Sequence, residues 1–457
     1  SISAGTGAGR GGVGISLDST GLAGSNGGLT VTGTGTPGSG GTIQHKTGAD
    51  NSTIAGIGIF LKDTKNPSFS WMQLNDFDNS AIVGRNVQGF TLQNSVINGV
   101  IGNNTAPVEG PINFGITNPG GTNGLQGTGL IRNVKISGGI EHNVEFYNQS
   151  GSMNLTIDGT SPVSEGANPN IPGDDTADCI IEENSVAGGS DGIQIEMQGT
   201  ATATIVIDRC LFRDNKSQPV QIAANDSSSA TVTISESWAR KFDQGNEGFL
   251  QSNGSNADLT TTVSNSHVNN FGGTEIFVGQ TAGNATASSM LTASIKDNVV
   301  THPTTATNHA IIGFLTSTVG QVSNANILIE NNNITESSTG GASRPLLVDT
   351  PDTSTTPTFT ASVLNNTITV DASAGSTADT TARRGNGCFD VRNNTVGQSF
   401  GIRVRQADPA TVRLEQGISA SVVPATVLDD NHPVGTVTSV LGTISVVPNN
   451  TCLDPPP

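Results

Sequence analysis

The chain has 457 residues, of which 20 are basic and 38 acidic, so its formal net charge is −18 at neutral pH. That charge repels phosphate backbones and anionic lipid surfaces, so we expect no nucleic-acid partner. No apolar stretch of roughly 18 residues is present, and we expect no membrane insertion. Only 13% of the residues are charged and 58 are glycine, a composition that favours short strands joined by tight polar turns.

The N-terminal part predicts short strands separated by glycine-rich turns. Residues 1–41 are expected to form the first coils or a cap, because short apolar runs persist among the glycines. Clearer strand signals begin at Ile57, Phe69, Phe90, Leu130 and Val144. The ranges 103–129 and 161–177 are rich in proline and glycine and predict long loops, where rigid scaffolds commonly carry binding sites.

From about residue 180 onward one six-residue pattern recurs. It consists of an apolar residue, two polar residues, a small or amide residue, any residue and a second apolar residue, as in Ile329-Glu-Asn-Asn332-Asn-Ile334. Copies begin at Ile181, Ile207, Ile234, Val263, Ile295, Ile329, Val363 and Val391. The fourth position steps by 26 to 34 residues, which is the range of solenoid repeats.

A second series of short strands keeps the same phase. Its members begin at Ile193, Val220, Phe249, Ile276, Ile311, Leu346 and Ile402, and the last gap of 56 residues implies one unrecognised copy. The strands alternate apolar and polar residues, and no helical stretch separates them. Such strands pair in parallel with their copies one coil later. The sequence therefore predicts an all-β, right-handed parallel β-helix, with Ile207, Ile234 and Ile329 inside.

The amide-rich fourth position of the repeat has a structural interpretation. Asparagine tolerates a left-handed backbone conformation and bonds to nearby backbone groups, and stacked asparagines can bond to one another. We therefore expect a ladder of stacked amides at a turn rather than a binding site. Its members are Asn184, Asn298, Asn332, Asn366 and Asn394, with Ser237 and Ser266 as smaller variants.

The repeat is lost beyond Glu415. The valine-rich remainder predicts a small β cap, because open solenoid ends expose strand edges that need covering. We predict three parts, which are first coils or a cap in 1–41, a parallel β-helix in 42–415, and a β cap with a proline tail in 416–457.

The four cysteines indicate an oxidising location. They are Cys179, Cys210, Cys388 and Cys452, and none lies in a CxxC pair that would suggest zinc. An even count in an acidic chain rich in glycine and asparagine indicates a secreted or cell-surface protein. We predict a disulfide between Cys388 and Cys452, whereas Cys179 and Cys210 either pair or remain buried thiols.

These copies resemble the right-handed parallel β-helix repeat proteins, the pectate-lyase-like superfamily, which includes bacterial surface and passenger segments. The resemblance covers roughly residues 40–410 and implies architecture more than activity, because the same coil hosts unrelated functions. Polygalacturonases of this superfamily hydrolyse with carboxylates that include a neighbouring Asp pair, and its lyases use Ca²⁺ and a basic residue. The Gly-His-Gly and Arg-Ile-Lys signatures of polygalacturonases are absent from the sequence.

A few residues match parts of this chemistry. Asp174 and Asp175 resemble the hydrolase Asp pair, and together with Asp178 and Asp191 they could offer oxygens to Ca²⁺. Arg209 is the candidate base of a lyase, and no other cofactor is implied. The alternative is structural, since Asp is a common turn former and an outward Arg commonly belongs to a solvated face.

Positive charge concentrates near the C-terminal end. Arg403, Arg405 and Arg413 are candidates for a docking patch that contacts an acidic polymer or a neighbouring domain. The alternative is a charged face that discourages end-to-end association.

The sequence favours a structural or adhesive segment of a larger bacterial surface protein, which displays loops to extracellular polysaccharide or to neighbouring domains. The alternative is a polysaccharide lyase or glycoside hydrolase on the same coil, so enzymatic activity stays open. The two differ in whether converging Asp and Glu side chains with a basic partner line the lateral face. A trimeric spike would need a large apolar lateral stripe, and the outward positions are mostly polar.

Overall fold

The computed structural model describes residues 2–4, 12–21, 28–50, 52–103, 109–115, 123–166, 174–182, 191–240, 247–269, 271–280, 289–302, 310–316, 324–336, 344–349, 358–370, 379–383, 386–396, 403–407, 411–415, 443–448 and 451–452. The chain forms two compact units. The first comprises Ser1–Ile222 and Glu236–Ala239, and the second comprises Ala223–Ser235 and Arg240–Pro457. No helix among the described residues is long and apolar enough to span a membrane.

The described regular structure consists of strands. Residues 2–224 contain β1 (Ile2–Ala4), β2 (Val13–Asp18), β3 (Thr30–Val31), β4 (Gly41–Lys46), β5 (Ile57–Lys62), β6 (Ser68–Ser70), β7 (Met72–Phe77), β8 (Ser80–Arg85), β9 (Val87–Gln93), β10 (Val96–Ile101), β11 (Ile112–Phe114), β12 (Leu125–Arg132), β13 (Lys135–Ser137), β14 (Val144–Asn148), β15 (Ser152–Asp158), β16 (Cys179–Glu182), β17 (Ile193–Met197), β18 (Thr202–Asp208), β19 (Cys210–Arg213) and β20 (Val220–Ala224). Residues 229–447 contain β21 (Ser229–Ser235), β22 (Trp238–Arg240), β23 (Phe249–Asn253), β24 (Asp258–Ser264), β25 (His267–Asn269), β26 (Ile276–Gln280), β27 (Met290–Lys296), β28 (Val299–His302), β29 (Ala310–Thr316), β30 (Asn324–Glu330), β31 (Asn333–Glu336), β32 (Arg344–Asp349), β33 (Thr358–Leu364), β34 (Thr367–Val370), β35 (Asp379–Arg383), β36 (Asn386–Arg392), β37 (Thr395–Val396), β38 (Arg403–Ala407), β39 (Thr411–Glu415) and β40 (Thr443–Val447).

The first unit contains three parallel sheets, each built from every third strand. Sheet A has the order β1-β4-β7-β10-β13-β16-β19, sheet B the order β2-β5-β8-β11-β14-β17, and sheet C the order β3-β6-β9-β12-β15-β18. One strand from each sheet makes a coil, and each strand pairs in parallel with its copy one coil later. This strand order is that of a parallel β-helix, as predicted. Parallel crossovers of this kind are almost always right-handed.

The second unit repeats the three-sheet pattern. Sheet A continues the order β25-β28-β31-β34-β37, sheet B the order β23-β26-β29-β32, and sheet C the order β21-β24-β27-β30-β33-β36-β39-β40. A further two-stranded sheet pairs β35 with β38 in parallel. Strand β35 falls in the gap of the second predicted series. Its sequence, Asp-Thr-Thr-Ala-Arg, has a single apolar residue, so the apolar pattern could not reveal it.

Aliphatic side chains fill the interior, as predicted. Ile207, Ile234 and Ile329 are fully buried. In the parallel register Ile157 stacks on Ile207, and Ile295 stacks on Ile329. Burying a side chain of this size contributes about 1.5–3 kcal/mol, so repetition of one position along the coils supplies much of the stabilisation.

Some sequence expectations need correction. The range 103–129 is not a continuous loop, because β11 pairs on one side with β8 and on the other with β14. The second predicted series is one residue out of register at β29, where Ile312 rather than Ile311 pairs with Ile276. The repeat copy that begins at Ile181 is out of phase, because Ile181 pairs with Phe212 in sheet A. On this coil Ile157 is the counterpart of Ile207, and Ile181 is the counterpart of Phe212. The insertion between Ile157 and Ile181 divides the copy into two halves, which explains the wrong phase.

The amides of four successive coils form a hydrogen-bonded ladder, which we call the amide ladder. Its members are Asn298, Asn332, Asn366 and Asn394, all buried. The Asn332 Nδ2 group donates to Asn366 Oδ1 and to the Ile295 carbonyl, each at 2.9 Å. Asn332 Oδ1 accepts from the backbone N–H and from Nδ2 of Asn298, at 3.1 and 3.0 Å. The Asn332 side chain is therefore bonded to the coil before it and to the coil after it.

Smaller residues occupy the equivalent position earlier in the chain. The Ser266 N–H donates to Asn298 Oδ1 at 3.0 Å, and the Cys210 N–H donates to Ser237 Oγ at 3.2 Å. Asn184 lies outside the described residues. The ladder position on its coil belongs to Cys179, which pairs in register with Cys210.

The left-handed backbone residue is not the ladder residue but the one before it. Asn331, Asn365 and Asn393 have φ values of 56°, 57° and 57°. Asparagine is the commonest residue other than glycine in this conformation because its short polar side chain bonds locally. The two consecutive amides of the repeat thus serve different purposes, one at the bend and one in the ladder.

Both pairs of cysteines form disulfides. Cys388 is bonded to Cys452, as predicted, and Cys179 is bonded to Cys210, which decides between the two alternatives left open by the sequence. In the chain-entropy description, closing loops of this length stabilises a fold by about 4 kcal/mol each. Between β39 and β40, residues 416–442 lie outside the described part, so the C-terminal cap and the boundaries at 41 and 415 stay predictions.

We predict that Asn332→Ala lowers the free energy of unfolding by about 3 kcal/mol, because it removes the partners of several buried polar groups. Asn333→Ala is the matched control, since that side chain is exposed at the start of β31. Urea unfolding followed by circular dichroism measures both. Equal losses of stability in the two variants would contradict a role for the amide ladder.

Candidate active site

The carboxylates suggested by the sequence do not converge. Asp174 is exposed, whereas Asp175 is buried and accepts the Gly166 N–H at 2.9 Å. Asp178 accepts the Thr160 hydroxyl at 2.8 Å and the Ser161 N–H at 2.9 Å. Hydrogen bonding to the Ser161 side chain is the largest cause of the lowered pKa of Asp178, and the hydrogen bonds from Thr160 and from the Ser161 N–H lower it further. Asp175 and Asp178 thus shape the turns of an insertion.

Asp191 and Arg209 also have structural positions. Asp191 is buried and accepts the Gln218 N–H at 3.0 Å, which joins two successive coils. Arg209 occupies the left-handed bend with φ 52°, and its Nη2 lies 2.6 Å from the Asp208 carboxylate. No group of three or more His, Cys, Asp and Glu side chains in the described ranges is arranged to hold a metal ion.

The three C-terminal arginines lie on two different sheets. Arg403 and Arg405 belong to β38, where they pair with Asp379 and Thr381 of β35. Arg413 belongs to β39 and pairs with Cys388 in sheet C. A single patch formed by all three stays a prediction.

A different set of ionisable residues lies together on the outer face of sheet B in the first unit. Inside this sheet, the rings of Phe114 and Phe146 stack with centroids 5.1 Å apart. Side chains alternate along a strand, so Glu145 and Tyr147 project outward on either side of Phe146. Glu145 stacks on Asn113 of the preceding coil, and both are buried even though they lie on the outer face.

Asn113 joins Glu145 to a cation. Its Nδ2 donates to Glu145 Oε2 at 2.6 Å, and its Oδ1 accepts from Arg85 Nη1 at 2.8 Å. Arg85 is the last residue of β8, and the residue that follows β11 on the next coil is Gly115, which has no side chain. The Asn113 amide therefore fixes the orientation of Glu145 Oε2.

The other oxygen of Glu145 is the one available for proton transfer. It is not among the buried polar atoms of the described residues that lack a hydrogen-bond partner, and no neighbour bonds to it. Glu145 as a whole residue is 4% exposed. A proton on this carboxyl group resides on Oε1, because Oε2 accepts from Asn113.

The ionisation of this group is strongly perturbed. Burial raises the pKa of Glu145 to about 8; Arg85 opposes the rise, and the nearby carboxylates of Glu141 and Glu196 add to it. Burial also lowers the pKa of Arg85 to about 10, against the attraction of Glu145. At neutral pH Glu145 is therefore largely protonated, while Arg85 keeps its charge.

A second carboxylate lies on the next coil. Glu196 pairs with Tyr147, so it projects from the same face as Glu145. It lies on the next strand of sheet B, two residues beyond Gln194, which is the partner of Glu145. The strand geometry places the Cα atoms of Glu145 and Glu196 about 8 Å apart. Gln194 and Gln198 donate to the two Glu196 oxygens at 3.5 and 3.4 Å. Burial raises the pKa of Glu196, and the hydrogen bond from Gln198 opposes that rise.

Two further acids and a histidine lie just before strands β11 and β14. They are Glu109, Glu141 and His142. Burial raises the pKa of Glu141; the Glu109 backbone N–H opposes this rise and the Glu109 carboxylate adds to it. Burial lowers the pKa of His142 to about 4, so the imidazole is neutral at pH 7. His142 Nδ1 accepts the Asp191 N–H at 3.2 Å. We refer to Glu109, Glu141, Glu145 and Glu196 as the acid cluster.

Sequence reasoning missed the acid cluster. Glu145 and Glu196 each sit between apolar residues in a strand, which indicates an outward position but not burial. The cluster becomes visible only when the coils are placed in register. The available signal was an outward acid on each of two successive sheet B strands, with the outward Arg85 two coils before the first of them.

Comparisons with known proteins leave the function open. No protein-family model and no curated protein matches the sequence. Among solved structures, the chain is similar to the family 28 exopolygalacturonase of Yersinia enterocolitica, with a TM-score of 0.32 and 11% identity, covering 83% of this chain and 72% of that chain. Similarity of this degree assigns neither an activity nor a residue, so function is argued from the site.

We predict that the stability difference between the wild type and Glu145→Gln depends on pH. The folded state holds the Glu145 proton more tightly than the unfolded state, so ionisation favours unfolding. Relative to the Gln variant, the wild type loses stability as the pH rises from about 4.5 to about 8. Urea unfolding at a series of pH values measures this difference.

Asp178→Asn is the control with the opposite sign. Because the pKa of Asp178 is lowered, the wild type loses stability relative to that variant only as the pH falls into the acid range. A flat difference between the wild type and Glu145→Gln from pH 5 to pH 8 would contradict the raised pKa.

Proposed function

We propose that this protein hydrolyses glycosidic bonds of an extracellular polysaccharide, with Glu145 as the general acid. The observation that carries the proposal is the buried carboxyl group of Glu145. Its pKa is raised to about 8, and Asn113 fixes one of its oxygens. Retaining and inverting glycosidases both need a protonated carboxyl beside the leaving oxygen. Glu145 and Glu196, which both have raised pKa values, lie on one outer face, and this supports a functional site there.

In this proposal Glu145 Oε1 gives its proton to the glycosidic oxygen as the bond to the anomeric carbon breaks. The carboxylate left behind is stabilised by the Asn113 amide and by the charge of Arg85. Both groups are in place before the reaction, so they need not reorganise as the negative charge develops. Solvent then restores the proton.

Glu196 is the proposed base. A Cα separation of about 8 Å on one face is compatible with carboxyl groups about 6.5–9.5 Å apart, the spacing that admits a water molecule in single-displacement hydrolysis. The base takes a proton from this water, whose oxygen forms the new bond to the anomeric carbon. The hydrogen bond from Gln198 favours the ionised form of Glu196 that this step needs, against the rise in pKa that burial causes.

Hydrolysis fits the site better than elimination or a purely adhesive role. Elimination needs an unprotonated base, whereas Glu145 holds its proton and Arg85 its charge at neutral pH. An adhesive or structural segment gives no reason to keep an acid buried beside an arginine on an outer face, where water would solvate both at lower cost. The adhesive role therefore becomes the alternative outcome of the test.

The test measures reducing ends released from a panel of neutral and uronate polysaccharides. We expect the wild type to cleave at least one of them and Glu145→Gln to lose about a hundredfold or more in rate, the usual contribution of a general acid. Activity should fall as the pH rises through about 8, where Glu145 loses its proton.

Glu275→Gln is the matched control, because Glu275 is also buried with a raised pKa but belongs to the second unit. It should keep full activity. Cleavage that survives in Glu145→Gln would disprove the assignment of the acid. Polysaccharide binding without any cleavage by the wild type would favour the adhesive role.

A further inference from the structure

A surface pocket of about 390 Å³ lies in the first unit, at the ends of the sheet A strands β4, β7 and β10. Its volume falls in the range of about 300–1,000 Å³ that small-molecule sites occupy. It combines a histidine, a lysine, two aspartates and one exposed aliphatic side chain, and none of these belongs to the acid cluster. The principal side chains are His45, Lys46, Asp76, Asp78 and Val100.

The exposed aliphatic side chain is held there by a β-bulge. The register between β10 and β7 shifts between Asn98 and Ile101, which pushes Val100 outward until it is 71% exposed. Gly99 makes the bulge possible, because it has a φ of 93° and a Cβ atom would lie 2.3 Å from Asp76 Oδ1. Bulges commonly redirect a side chain beside a functional site.

The polar groups around Val100 are fixed by the backbone. Asp76 Oδ1 accepts the Val100 N–H at 3.0 Å, and Asp76 Oδ2 lies 3.6 Å from His45 Nδ1. Asp78 Oδ2 accepts the Gly48 N–H at 3.0 Å. Each carboxylate is therefore oriented and still has lone pairs to accept hydroxyl groups.

A short path of contacts leads from this pocket to the acid cluster. The N–H of Asn103, which lines the pocket, donates to Glu109 Oε2 at 2.8 Å. The Glu109 backbone bonds to Glu141, and Glu141 acts electrostatically on Glu145. The pocket and the acid cluster are therefore linked through neighbouring residues of the first unit.

We propose that this pocket is a second subsite for the same polysaccharide and binds a neutral sugar unit away from the bond that is cleaved. The proposal rests on the function argued above. Val100 offers an aliphatic surface for the C–H face of a sugar ring, and Asp76 and Asp78 offer acceptors for its hydroxyl groups. Binding units remote from the scissile bond is a general way to orient a long substrate.

The charges of the pocket favour a neutral sugar over a uronate. His45 is paired with Asp76, and Asp78 adds a further negative charge near the position of the ring. The formal charge of the whole chain is −18, which repels polyanions. A uronate carboxylate would therefore meet two aspartates against one lysine, Lys46, in a strongly acidic protein.

The experiment measures binding to the cleavage-deficient Glu145→Gln protein by calorimetry. The probes are linear glucan, xylan, mannan and galactan oligosaccharides and, for comparison, oligogalacturonate. We expect at least one neutral oligosaccharide to bind more tightly than oligogalacturonate. Adding Val100→Asp should weaken that binding about tenfold or more, because the sugar ring loses its aliphatic contact.

Met290→Asp is the matched control, because Met290 is also an exposed apolar side chain but lies in the second unit. It should leave the affinity unchanged. The unfolding midpoint of Val100→Asp should match that of its parent, since the side chain points into solvent, so weaker binding will report the pocket and not the fold.

The outcomes separate this proposal from the one on which it rests. If neutral oligosaccharides bind through Val100 but the wild type cleaves none of the polysaccharides, the subsite stands and the hydrolase assignment fails. If cleavage occurs and Val100→Asp binds as tightly as its parent, the subsite is wrong and the hydrolase assignment stands. Tighter binding of oligogalacturonate, or no binding of any probe, also overturns the subsite.

Discussion

Parallel pairing of each strand with its copy one coil later decides where every side chain of this fold lies. Strands in such a sheet are about 4.8 Å apart, so an equivalent position on the next coil is always a direct neighbour. Apolar positions thus become buried aliphatic stacks, and the amides of Asn298, Asn332, Asn366 and Asn394 become a continuous hydrogen-bonded ladder. A shift of one residue in a single coil would break both at once, because it turns every side chain to the other face.

The same register builds the chemistry on the outer face. Asn113 lies beside Glu145 because their strands pair, and Arg85 donates to the Asn113 amide oxygen from the coil before. A carboxyl group in water would be ionised at neutral pH, whereas in this setting burial outweighs the attraction of the arginine and keeps the proton on Glu145. A solenoid that is stable through its interior can carry such a costly arrangement outside, and this separation lets one architecture host unrelated functions.

The sequence predictions were accurate for repeating patterns and failed where a feature depends on contacts between distant parts of the chain. The solenoid, its interior isoleucines and the Cys388–Cys452 disulfide were predictable, because each depends on a pattern that repeats or on a simple pairing rule. The phase was wrong around Ile181, where an insertion divides a copy, and β35 was invisible because its residues are almost all polar. The aspartates at 174, 175, 178 and 191 attracted attention by resemblance, yet those with hydrogen bonds in the structure use them to join turns and coils.

By itself the sequence determined the architecture of this protein: period, strand length and the alternation of apolar residues leave few structures other than a parallel β-helix. Only the tertiary structure decided which outward residues become buried neighbours. Glu145, Asn113 and Arg85 lie on three different coils at irregular separations along the chain. Loop lengths vary from coil to coil, so spacing in sequence does not reveal stacking in space, and an ionisation that depends on burial and on a distant charge appears only once the coils are in register.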